Sequence, residues 1–72
     1  MSLVNEKVGA RVRQRRIESQ LSEEAVARVL EMSVVELRDA EAGRIRFSPM
    51  HIVALCTVLR VVPTWFFEGL AD

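Results

Sequence analysis

Nine of the ten basic residues in this 72-residue sequence are arginines, and two of them, Arg44 and Arg46, follow directly on Gly43 with only Ile45 between. A guanidinium presents a planar fork of N–H donors that matches the oxygens of a phosphate or carboxylate. In a loop, such a pair either grips phosphate or stays solvated. Other reactive side chains are few. His51 is the only histidine and Cys56 the only cysteine, five residues apart and off a common helical face. Neither Cys-x-x-Cys nor His-Glu-x-x-His occurs, and the three scattered glycines make no phosphate-cradling loop. The residues therefore predict no enzyme, no catalytic group, no metal and no cofactor. Cys56 reads as a small buried hydrophobe, and a lone cysteine excludes an intramolecular disulfide, which suits a reducing cytoplasm.

Formal charge is zero, with ten acids against ten bases, so net charge alone argues for no polyanionic partner. The distribution is uneven. Residues 1–16 hold Lys7, Arg11, Arg13, Arg15 and Arg16 against Glu6, a balance of +4. Residues 17–43 hold seven acids against Arg28 and Arg38, a balance of −5, and the rest of the chain carries +1. The longest uncharged stretch, 47–59, has 13 residues and includes Pro49, too short for a membrane span.

These groups must be positioned by one small fold, since a chain of this length buries only about 60% of the surface it exposes when unfolded. Apolar residues make up 50% and aromatics 6%, too hydrophobic for disorder. The punctuation is helical throughout, and an all-α fold of five helices is expected, spanning about 5–18, 22–30, 33–42, 48–60 and 63–68. Val4, Val8 and Val12 recur every four residues on the first, with Arg11 and Arg15 on another face. Ser22 caps the second, and Glu23 and Glu24 suit its positive N-terminal dipole. Ser33 and Glu36 form a capping box for the third, and Gly43 ends it. Ser48-Pro49 opens the fourth and Pro63 the fifth.

Between the second and third helices lie only Glu31 and Met32. So tight a turn forbids an antiparallel hairpin and forces a steep crossing, the helix-turn-helix arrangement, which makes the later helix available for a DNA major groove. Residues 21–44, LSEEAVARVLEMSVVELRDAEAGR, resemble the Cro and lambda-repressor-like (XRE) helix-turn-helix family at Leu21, Ser22, Glu24, Ala27, Ser33, Leu37, Glu41 and Gly43. Val8-Gly9 with Val12-Arg13 is similar to that family's opening, and Val61-Val62-Pro63 through Phe66-Phe67 to its close.

The resemblance implies a lambda-repressor-like DNA-binding domain covering the whole chain, and it assigns roles by position. Val34, Val35 and Asp39 fall where family members read base edges, with Arg38 beside them. Phosphate contacts fall to Glu23, Arg44 and Arg46, with Arg13 or Arg16 in support. This sequence departs from the family pattern at several of these positions. Glu23 replaces a glutamine, and an ionised carboxylate accepts where an amide can donate to phosphate. Val34 and Val35 replace polar readers, leaving either contact with thymine methyls or an apolar contact surface. Glu31 stands where the family has glycine, in a position that commonly needs a left-handed backbone.

From Ile52 to Val62 only Thr57 and Arg60 are not apolar, and Trp65, Phe66 and Phe67 follow. A helix apolar all round is buried all round, more than five small helices can cover. A homodimer is therefore expected, with Val58, Val61, Trp65, Phe66 and Phe67 as interface candidates. The expected function is a small cytoplasmic transcriptional regulator, a repressor that binds operator double-stranded DNA as a dimer, with no small-molecule ligand within this chain and no membrane partner. The competing expectation is a protein-interaction module that uses the same fold without appreciable DNA binding, its acidic 17–43 segment and its valines contacting another protein.

Overall fold

The computed structural model describes residues 2–70, all helix, turn and loop. Four α-helices follow in order, α1 Leu3–Glu18, α2 Glu23–Leu30, α3 Val34–Glu41 and α4 Pro49–Leu59, and a 3-10 helix, Pro63–Phe67, follows α4. The expected fifth α-helix is thus a single tight turn. Its amide bonds reach back only three residues, Trp65 N–H to the Val62 carbonyl at 3.0 Å. Three residues per turn suit a segment that must send one aromatic inward, and Phe66 is the one, fully buried.

Every α-helix starts on a serine whose hydroxyl accepts a first-turn amide. Ser22, Ser33 and Ser48 do so as expected. Ser2 adds a fourth cap, so α1 begins at Leu3, two residues before the expected start at about residue 5. Helix ends are equally uniform. Gln20, Glu31, Gly43 and Arg60 all have left-handed φ, from 55° to 82°. At the end of α3, Gly43 N–H donates to the Ala40 carbonyl at 3.1 Å and Arg44 N–H to that of Asp39 at 2.9 Å, a Schellman closure. Glu31 ends α2 the same way, with Met32 N–H on the Ala27 carbonyl at 2.9 Å. The left-handed residue required in that turn is present, on a side chain that tolerates it at a cost of about 1 kcal/mol relative to glycine.

Val12, Val26, Leu37, Leu55, Leu59 and Phe66 form the fully buried centre, with every element contributing. Gly9 brings α1 onto the end of α3, where a Cβ would lie 2.5 Å from the Ala40 carbonyl oxygen. Along α1, the cations tie the fold together. Arg15 Nε donates to the Leu59 carbonyl at 3.0 Å, neutralising the end of α4, and Arg11 donates to the carbonyls of Trp65, at 2.9 Å, and Glu68. The +4 balance of residues 1–16 is therefore largely spent on carbonyls and one carboxylate of the chain itself. Lys7 and Arg13 remain exposed.

Candidate nucleic-acid interface

The short turn at Glu31 and Met32 sets α3 across α2 and leaves one side of α3 free. Leu37, Ala40 and Glu41 are buried and Val34 packs half-buried against the core, while Val35, Glu36 and Arg38 are exposed. Of the residues expected to read bases, then, Val34 is largely withdrawn. Val35, 64% exposed, remains. Glu36 serves as the cap: its carboxylate accepts from Ser33 N–H at 2.9 Å while Ser33 Oγ accepts from Glu36 N–H at 3.0 Å. The Ser33 N–H, and after it the Ser33 side chain, hold the Glu36 carboxyl below its ordinary value.

Two ion pairs organise the rest of this surface. Arg38 Nε and Nη2 donate to the two carboxylate oxygens of Glu23, each at 3.0 Å, tying α3 to the first turn of α2. The same contact lowers the Glu23 carboxyl and raises the Arg38 guanidinium from their ordinary values. Arg44 Nη1 donates to Asp39 Oδ1 at 3.2 Å. Glu23 is thus engaged by an arginine and is not a phosphate donor. Asp39 and Arg44, assigned to base and backbone respectively, meet each other.

Arg16 corrects a sequence expectation. It is buried, its Nε and Nη2 on the Glu41 carboxylate at 2.8 and 3.1 Å, and its Nη1 on the Leu21 carbonyl at 3.3 Å. Such a group is structural and cannot also reach phosphate. Sequence reasoning missed this pair, although Glu41 matched the family pattern and spacing put Arg16 on the inner side of α1. Arg13 and Arg46 remain exposed, with no ion pair among the described residues.

The expected dimer residues also sort differently. Phe66 is 0% exposed and excluded from any interface. Val58, Val61 and Trp65 are half-buried against the core, and Phe67 is exposed. Helix α4 is not covered all round. Its free apolar residues are Met50 and Val53, 77% and 66% exposed, on its N-terminal half. Val4, Ile45, Pro49, Ile52 and Phe67, together with Arg46, line an apolar groove of about 420 Å3.

Among the described residues, no three His, Cys, Asp or Glu side chains come together as a metal site, and no helix is long and apolar enough to cross a membrane. A search of curated proteins finds no match to this chain. The crystal structure of the clp gene regulator ClgR from C. glutamicum has the same fold, with a TM-score of 0.82 at 21% identity over 100% of this chain and 97% of that one. A family model described as a helix-turn-helix domain matches residues 7–64, from within α1 through α2, α3 and α4 to the start of the 3-10 turn. The chain belongs to the helix-turn-helix domain family.

Proposed function

We propose that this protein is a DNA-binding transcriptional regulator of the Cro and lambda-repressor-like (XRE) type, a repressor that occupies operator DNA as a dimer in the cytoplasm and catalyses no reaction. The observation that carries this reading is that α3 keeps a free side, Val35 and Arg38, and that the loop following it carries the exposed Arg46. That is the combination of base-reading helix and phosphate-holding loop that a major-groove module needs. Likeness in fold to a protein titled a clp gene regulator supports the same reading. The dimer would form over the apolar face of Met50, Val53 and Phe67, placing two α3 helices on one operator.

Titration of genomic DNA fragments at two salt concentrations tests the reading. Phosphate contacts release counterions, so affinity should fall steeply with salt, by about 0.9 in the log–log slope for each phosphate contact. A second reading, a protein-interaction module, draws on Val29 and Val35, both exposed on the helix-turn-helix segment. An apolar interface of that kind would hold its affinity as salt rises. Flat salt dependence on every fragment would move the assignment to that reading.

A further inference from the structure

We propose that Glu23 is a positioning residue that holds Arg38 ready to recognise a guanine in the major groove. This deepens, and rests on, the DNA-binding reading above. An arginine head carries five N–H donors in a fixed plane. The Glu23 carboxylate takes the side edge, through Nε and Nη2 at 3.0 Å each. The end edge, formed by Nη1 and the second N–H of Nη2, has no partner among the described residues. That end edge supplies the parallel pair of donors that matches O6 and N7 of guanine. Arg38 can therefore keep its carboxylate and read a base at the same time.

The surroundings single it out. Arg38 is the only side chain of α3 with a hydrogen-bond donor when the acids are ionised. Glu36 is committed to the Ser33 amide and Asp39 to Arg44. Val35, three residues earlier on the same face, has no polar atom to compete with. The Arg38 side chain remains 60% exposed although that of Glu23 is only 26% exposed, so the carboxylate sits beneath the guanidinium and leaves its far edge open. A long arginine chain ordered in advance loses little further rotamer freedom on meeting its base. The pair is also neutral, so it adds little attraction to phosphate. Its contribution lies in discrimination.

This division gives the test. Duplexes bound by the full chain are selected from a random pool, and each guanine of the winner is replaced in turn by adenine or by 7-deazaguanine, which lacks the N7 acceptor but pairs normally. Wild-type protein should show one guanine per half-site whose replacement weakens binding about 5- to 150-fold, the range of one bidentate contact. Arg38→Ala should abolish that preference. Glu23→Ala should reduce it several-fold while leaving affinity for the replaced duplex unchanged or tighter, because a carboxylate near phosphates has been removed. Glu23→Gln, which keeps one acceptor, should fall between. A purely structural Glu23 would weaken binding to all duplexes equally, and that result, or full guanine preference in Glu23→Ala, overturns the inference. Absence of any salt-dependent DNA binding by the wild-type chain overturns the DNA-binding reading, and this inference with it.

Discussion

Arg16 and Glu41 join the last turn of α1 to the last residue of α3 through two parallel hydrogen bonds of 2.8 and 3.1 Å, with side chains only 9% and 4% exposed. The contact raises the Arg16 guanidinium from its ordinary value, which keeps that group charged in the interior. Together with Gly9 it fixes the seat of α3 on the body of the domain. Removing one partner strands a buried charge. Glu41→Leu should therefore cost about 3–5 kcal/mol of stability, whereas the double replacement Arg16→Met with Glu41→Leu should recover most of it. Urea unfolding of the three proteins measures both. Equal losses in the single and double variants would show that the pair is not the source.

Gly9→Ala sets two effects against each other. Alanine favours a helix over glycine by about 1 kcal/mol. The new Cβ, however, meets the backbone oxygens of Ala40, at 2.5 Å, and Glu41, neither of which can rotate away. Overpacking of this kind costs about 1–3 kcal/mol, so a net loss is expected, with weaker DNA binding as α3 is pushed off its seat. An unfolding midpoint at or above that of wild type would show that α1 slides clear without penalty.

Acid stability should carry the signature of Glu36. Its carboxyl is held below the ordinary 4.5 by the Ser33 amide, so its folded pKa lies under its unfolded one. Stability from this group is then fully present above about pH 4.5 and is lost as pH falls through the lower folded value. Glu23 has the same sign because of Arg38. Glu36→Gln should lower the melting temperature at neutral pH, and its curve should converge with that of wild type in acid. Two parallel curves would exclude the link.

Much of this was legible in the residues. Ser22, Ser33 with Glu36, and Ser48-Pro49 announce three helix starts because capping is local chemistry, readable from a few neighbouring side chains. The left-handed turn at Glu31 was legible only through the family resemblance, which has glycine there, since glutamate itself gives no such signal. What the sequence concealed is pairing across long separations. Arg16 and Glu41 are 25 residues apart and Arg11 meets the Trp65 carbonyl across 54, and in each case the arginine reads as surface charge until the fold brings its acceptor near. Composition likewise misled at α4. Uniform hydropathy cannot say which side finds a partner, and the core takes Leu55 and Leu59 while Met50 and Val53 face outward.

Those two residues locate the proposed dimer. Val53 is 66% exposed, so Val53→Glu should leave the fold intact while placing a charge in the middle of an apolar contact. Sedimentation equilibrium at tens of micromolar should show a dimer for wild type and a monomer for the variant, with DNA affinity falling in step. A monomeric wild-type chain, or a variant that still dimerises, removes the assignment of this face.

Asp39→Asn addresses the second surface pair. Arg44 reaches Asp39 at 3.2 Å, with the two side chains 64% and 39% exposed, so the pair itself contributes at most about 1 kcal/mol to stability and the variant should fold normally. Its effect belongs to binding. Neutralising Asp39 removes a charge that repels phosphates and weakens the hold on Arg44, which then becomes available to the DNA backbone. Affinity should rise on all sequences alike, and the log–log salt slope should steepen by about 1.8 for a dimer, at about 0.9 per added phosphate contact. If Asp39 instead accepted from a base amine, the asparagine would shift preference toward adenine by about 1–3 kcal/mol and the rise would be uneven. Adding Arg44→Ala separates the two: it should cancel the uniform gain, because the two substitutions act through one contact and are not additive. Titrations of wild type and Asp39→Asn that overlay on every duplex would mean that this end of α3 does not approach DNA.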